Sequence, residues 1–234
     1  MRIRQFPYLA DNLGYLIWGE RHAMAVDGGA VKDILSAVDS LGLILKYVTN
    51  THLHPDHTVG TRALVQESGA EYLDNKTLLD NKTIDLDGEE LQVYHTPGHS
   101  KESVCFHFGN VLVAGDTLFN GKVGRCFSRD LKSFYNSIKF LTTLPGNTVV
   151  YAGHDYVGEC MEFVRQLDPD NRHIDRFLKR YDPHNVHSTL EEELSVNPFL
   201  RLNDSGIITI LEQRGLPTET EYDRWQSLMG IMEA

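Results

Sequence analysis

The sequence predicts an α/β fold from three features. Apolar runs of strand length alternate with stretches whose apolar residues recur every three or four positions. Several of those runs stop at a small group of Gly, His and Asp, which puts polar chemistry at strand ends. The chain is 234 residues long, 41% hydrophobic and 24% charged, enough for a large core in one domain or one domain with an appendage.

Taken in order, GYLIWGERHAMAVDGG (14–29) reads as two short strands around a Gly-Glu-Arg-His turn. AVKDILSAVDSLG follows with Val31, Ile34, Leu35, Val38 and Leu41 at helical spacing, and Gly42 ends it. LKYVTNTH is a strand, TRALVQESG a helix, and ELQVYHTPGHS a strand running into a Pro-Gly turn. In SVCFHFGNVLVAGDTLF two apolar runs flank Gly109-Asn110, the pattern of a hairpin. DLKSFYNSIKFLTTLP is an amphipathic helix, and NTVVYAGHDY a buried strand that ends in polar residues. From about residue 157 the texture is helical, with VGECMEFVRQL, NRHIDRFLKRY and TLEEEL and no clear strand between them. A boundary is therefore expected near 160, dividing a first domain (1–160) from a helical region (161–234).

The formal charge of −11 gives no broad basic surface for nucleic acid or anionic lipid. Cys105, Cys126 and Cys160 are odd in number and form no CxxC pair, which points to a reducing compartment. The first residues carry charges without a following apolar block, and no apolar run reaches the ~18 residues of a membrane span. A cytoplasmic protein is expected.

The chemistry concentrates in NTHLHPDHTVG (50–60), where His52, His54, Asp56 and His57 fall within six positions. Side chains at i and i+2 of an extended segment share a face, so His52 and His54 can reach one metal. A turn beyond them can aim Asp56 and His57 at a neighbouring point. One histidine in a loop needs no explanation; this density does, and a metal supplies one. Other apolar strands end at His99 (TPGH), Asp116 (AGDTLF) and His154 (AGHDY). Five His and two Asp exceed what one metal uses and match what two borderline ions need. The remaining histidines (22, 95, 107, 173, 184 and 187) have no such setting and are expected to be structural or solvent-exposed. No GxSxG elbow and no histidine-paired cysteine offers a side-chain nucleophile.

The ordered motifs THLHPDH, TPGHS, GDTLF and AGHDY resemble the metallo-β-lactamase superfamily. Their spacing, together with ADNLGYLIWG near the start and HSTLEEELSVNPFLRLND near the end, is similar to glyoxalase II, the hydroxyacylglutathione hydrolases. The resemblance implies an αββα sandwich with the site at the strand ends and a small C-terminal helical domain over the substrate channel. It implies that His52, His54 and His99 bind one metal, that Asp56, His57 and His154 bind a second, and that Asp116 bridges them. Asp56 and Asp116 are the catalytic candidates. Two divalent ions, zinc first with iron or manganese as alternatives, would then present a bridging hydroxide to a thioester such as S-D-lactoylglutathione. For the glutathione moiety the resemblance points to Arg125 in VGRCF, Tyr156 in AGHDY and Arg201 in NPFLR. The segment FNGKVGRCFSRD departs from the family's usual small-apolar-Gly-Cys-Gly run, and RLNDSG lacks the lysine often found after the arginine. The thiol therefore stays open, and with it a hydrolase of another ester or thioester. A second alternative is an oxidoreductase resembling the persulfide dioxygenases, whose single iron uses two histidines and an aspartate.

Overall fold

A computed structural model describes residues 1–79 and 82–234. The chain opens with strands β1 (Arg2–Tyr8), β2 (Asn12–Trp18) and β3 (His22–Val26), then helix α1 (Val31–Ser40) and strand β4 (Ile44–Thr49). A single turn of helix, α2 (Pro55–Thr58), precedes α3 (Thr61–Ser68) and a two-residue strand β5 (Glu71–Tyr72). Next come β6 (Thr83–Leu86), β7 (Glu89–His95), β8 (Val104–Phe108), β9 (Val111–Gly115), α4 (Leu131–Leu141) and β10 (Val149–Ala152). The remainder is α5 (Val157–Leu167), α6 (His173–Arg180), β11 (Ser188–Thr189), α7 (Leu190–Val196), α8 (Ser205–Gln213) and α9 (Glu221–Glu233).

The strands form two sheets, ordered β1-β2-β3-β4-β5 and β11-β10-β9-β8-β7-β6. Alternation along each strand assigns the layers. Tyr15, Ile17, Met24 and Val26 of the first sheet meet Val93, Phe106 and Val113 of the second in one buried cluster. The intervening Leu16, Ala23 and Ala25 face outward onto Ile34 and Val38 of α1 and Leu64 of α3. On the far side, Cys105, Leu112, Ala114 and Val150 pack on Phe134 and Ile138 of α4 and on Trp225 and Leu228 of α9. Both sheets are thus covered on both faces. The result is the αββα sandwich expected, with the hairpin of β8 and β9 turning at Gly109-Asn110 as its sequence indicated.

Three features were not foreseen. Strand β1 pairs with β2 along its whole length, yet its residues RIRQFPY lie at a sheet edge where only Phe6 is buried, so no clean alternation marks it. The tail contributes a strand, β11, whose Ser188 and Thr189 pair with Val150 and Val149. The expected division at residue 160 falls inside α5. Val157, Cys160 and Met161 of that helix share the inter-sheet core, and Phe199, Leu202 and Trp225 share the outer one. The C-terminal helices are therefore packed as part of the sandwich's own interior. Among the described residues no helix is long and apolar enough to cross a membrane.

Candidate metal centre

The centre is assembled from loops that leave the strands at one edge of the sandwich. After β4 the chain bends at Thr51 and His52 and is extended again at His54 (φ −67°, ψ 147°), and Pro55 then opens α2, its fixed φ suited to a first helical position. His52 and His54 therefore leave from the segment between β4 and α2, and Asp56 and His57 from the helical turn. Asn50 fixes that turn by donating Nδ2 to the His57 carbonyl at 2.7 Å. His99 follows β7, Asp116 follows β9 and His154 follows β10.

All seven expected ligands converge. Nε2 of His52 and Nε2 of His99 lie 2.9 and 3.0 Å from Nδ1 of His54. Nε2 of His57 and Nε2 of His154 are 3.1 Å apart. Asp56 Oδ2 lies 3.5 and 3.4 Å from those two nitrogens. Asp116 sits between the groups, Oδ2 3.5 Å from His99 Nε2 and Oδ1 3.3 Å from His57 Nε2. Its close neighbour has to be glycine: a Cβ on Gly153 would stand 2.2 Å from Asp116 Oδ1 and 2.8 Å from the His57 ring.

The opposite nitrogen of four of the five rings is held from behind. His57 Nδ1 lies 3.0 Å from Asp27 Oδ2, His154 Nδ1 2.8 Å from Asp11 Oδ1, and His99 Nδ1 3.0 Å from the Arg125 carbonyl. These acceptors assign the ring proton to Nδ1 and leave Nε2 as a lone pair pointing into the centre. His52 Nδ1 is 3.1 Å from Thr51 Oγ1, whose own proton goes to Asp27 Oδ2 at 2.6 Å. Lone pairs facing one another at these separations repel unless a proton or a cation lies between them. Asp116 Oδ1 is also buried with no hydrogen-bond donor in line. The donor set therefore fits divalent metal, with three clusters of adequate closeness: His52, His54, His99; His52, His57, Asp116; and Asp56, His57, His154.

Charge divides the centre in two. Burial, with His54 nearby, pushes His99 down to about 4 and holds His52 well below its usual value, so these imidazoles are neutral at pH 7. Burial also opposes a proton on His57, but the Asp27 and Asp116 carboxylates outweigh it and push the group up to about 11. Metal must displace that proton, so loading at this half releases acid.

Asp27, Thr51, Asp11 and Asn12 escaped sequence reasoning. Asn12 donates to Asp56 Oδ2 at 2.9 Å. Asp27 closes the apolar run HAMAV before Gly-Gly, the same strand-end setting as the ligands, and that was the available signal.

The expected substrate contacts fare differently. Tyr156 stacks on His154 with rings 4.7 Å apart and 7° from parallel, and burial pushes its phenol up to about 12. Arg125 presents an exposed side chain from the loop whose carbonyl holds His99. Arg201 is placed otherwise: its Nη1 donates to Asp168 Oδ2 at 2.8 Å and its Nη2 to Asp204 Oδ2 at 3.1 Å. It ties the end of α5 to the start of α8 instead of offering a free fork. Arg201→Ala should therefore cost about 1–3 kcal/mol and lower Tm by several degrees, because Asp168 is left buried without its cation. A rise in KM with unchanged Tm would restore the substrate role.

Residues 71–154 match the family model described as the metallo-beta-lactamase superfamily, and residues 155–228 match the one described as hydroxyacylglutathione hydrolase C-terminus. A hydroxyacylglutathione hydrolase from Methylobacillus flagellatus is 32% identical, over 86% of this chain and 88% of the relative. Among solved structures, ETHE1 from Myxococcus xanthus superposes with a TM-score of 0.70 at 26% identity, covering 99% of both chains. TTHA1623, solved in a di-iron-bound form, gives a TM-score of 0.58 at 25% identity over 86% of this chain and all of its own.

Proposed function

The chain belongs to the hydroxyacylglutathione hydrolase family of the metallo-β-lactamase superfamily, and from that premise we propose that it hydrolyses S-(2-hydroxyacyl)glutathione thioesters to glutathione and a 2-hydroxy acid. The observation that carries the reading is the convergence of five imidazoles and two carboxylates, with His57, His154 and His99 each oriented by a fixed acceptor.

His52, His54 and His99 would hold one divalent ion and Asp56, His57 and His154 the other, with Asp116 between them; zinc suits the N and O donors, and iron or manganese is accommodated by the same set. Bound ions supply Lewis acidity, which lowers the pKa of water and polarises a thioester carbonyl. Water adds its oxygen to the carbonyl carbon, the C–S bond breaks, and the products are a carboxylate, a thiol and one proton. The chain's own residues fix the geometry of that reaction. Asp27 and Asp11 keep the His57 and His154 lone pairs inward, and Asn12 keeps Asp56 turned toward both rings. Tyr156, flat on His154, shields the second half of the centre, while the exposed Arg125 can meet a carboxylate of the thiol part. Cys105, Cys126 and Cys160 are unpaired, in keeping with action in a reducing cytoplasm.

The test is hydrolysis of S-D-lactoylglutathione by metal-loaded protein, followed by loss of thioester absorbance and compared with a glutathione-free thioester. Turnover should vanish on chelation and return on adding zinc, iron or manganese. No turnover with two metals bound would move the substrate to another ester or thioester. A single iron per chain with oxygen uptake would replace hydrolysis by oxidation.

A further inference from the structure

Exposed apolar side chains occur in the loops that carry a centre built from imidazoles and carboxylates. Leu9, Phe127 and Val59 are the most exposed large hydrophobics among the described residues, at 66, 59 and 55%. Each belongs to a loop of the centre. Leu9 lies two residues before Asp11, in the turn between β1 and β2, and holds a φ of +49° that leucine rarely takes. Val59 lies two residues after His57. Ile44, the next most exposed at 53%, instead opens β4 at the end away from His52.

Phe127 has the most direct placement. Its ring stands edge-on to His54 at 5.5 Å and to His99 at 5.3 Å, yet more than half of the residue faces solvent. The other half of the centre is closed: there Phe119, only 5% exposed, packs on Tyr156 at 5.1 Å, and Tyr156 lies on His154. Of the three exposed side chains, Phe127 is the one whose ring meets the imidazoles of the centre, and both of these belong to the three-histidine side. An exposed phenyl ring beside polar ligands pays a hydration cost that contact with an apolar group would remove.

We propose that Phe127 is a specificity-determining residue that receives an apolar, preferably aromatic, acyl side chain of the thioester beside His54 and His99. The proposal rests on the hydrolase reading and adds the acyl class to it. A phenyl group against Phe127 gains edge or offset ring contact that a methyl group lacks.

The test measures kcat/KM for S-D-lactoylglutathione and S-D-mandeloylglutathione in the metal-loaded wild type, Phe127→Ala and Phe127→Tyr. The mandeloyl-to-lactoyl ratio should fall about ten-fold in Phe127→Ala, chiefly through a higher KM for the mandeloyl compound, and should be retained in Phe127→Tyr, which keeps the ring. An unchanged ratio in Phe127→Ala, with both thioesters still turned over, would overturn the acyl assignment and leave the hydrolase reading standing. Wild-type protein that cleaves neither thioester would overturn both.

Discussion

Asp116→Asn is expected to cut kcat/KM by about a thousand-fold, roughly 4 kcal/mol of lost transition-state stabilisation, and to reduce bound metal below two ions per chain. Asparagine keeps the shape, so the effect isolates charge and donor set. Asp116 is 7% exposed and meets both halves of the centre, with Oδ1 toward His57 and Oδ2 toward His99 and His154. An amide offers one oxygen and one NH2 group, so one half must lose its acceptor and meet a donor instead. The negative charge is lost as well, in a site where burial makes each charge count for more. Burial disfavours ionisation of Asp116, but the neighbouring His154 and His57 imidazoles hold it well below the usual carboxylate range, so it is anionic at neutral pH. Metal analysis by mass spectrometry and steady-state kinetics on the same preparation check the prediction. Two ions and full turnover in the variant would remove Asp116 from its place between the metals.

What the sequence reveals about this centre depends on how each residue reaches it. The seven converging residues were readable because they are dense, as in THLHPDH, or end an apolar run, as His99, Asp116 and His154 do. Strand geometry then delivers them to one edge without further information. The supporting residues were not readable by the same logic. A single Asp before Gly-Gly looks like ordinary turn chemistry, and nothing local says that Asp27 meets His57 thirty positions later. Arg201 shows the reverse error. Its setting in NPFLR resembled a clamp, but its partner Asp168 is 33 residues away and visible only once α5 and α8 are folded together. The C-terminal helices were legible as helices, whereas their place in both cores and the strand β11 were not, because a two-residue strand carries no periodicity.

The same distinction makes Asp27 the more instructive residue, and Asp27→Asn should have the second-largest effect. Asp27 is fully buried and accepts from four donors: the Thr51 backbone at 2.8 Å, the Thr51 hydroxyl at 2.6 Å, Asn50 Nδ2 at 3.4 Å and His57 Nδ1 at 3.0 Å. It thereby sets the ring orientation of His57 directly and that of His52 through Thr51. Its φ of +49° is a conformation asparagine tolerates, so the substitution leaves the backbone unstrained. In the variant, an NH2 group must replace one carboxylate oxygen. Turned toward His57, it favours a ring protonated at Nε2, which removes the lone pair from the centre; turned toward Thr51, it opposes the backbone N–H. Either way about 1–3 kcal/mol of stability should be lost, and metal affinity at the His57 half should fall about 10–100-fold. Competitive metal titration against a chromophoric chelator, with Tm measured alongside, separates the two effects. A lower Tm with unchanged affinity would make Asp27 a packing residue, and its carboxylate would then have no part in aiming His57.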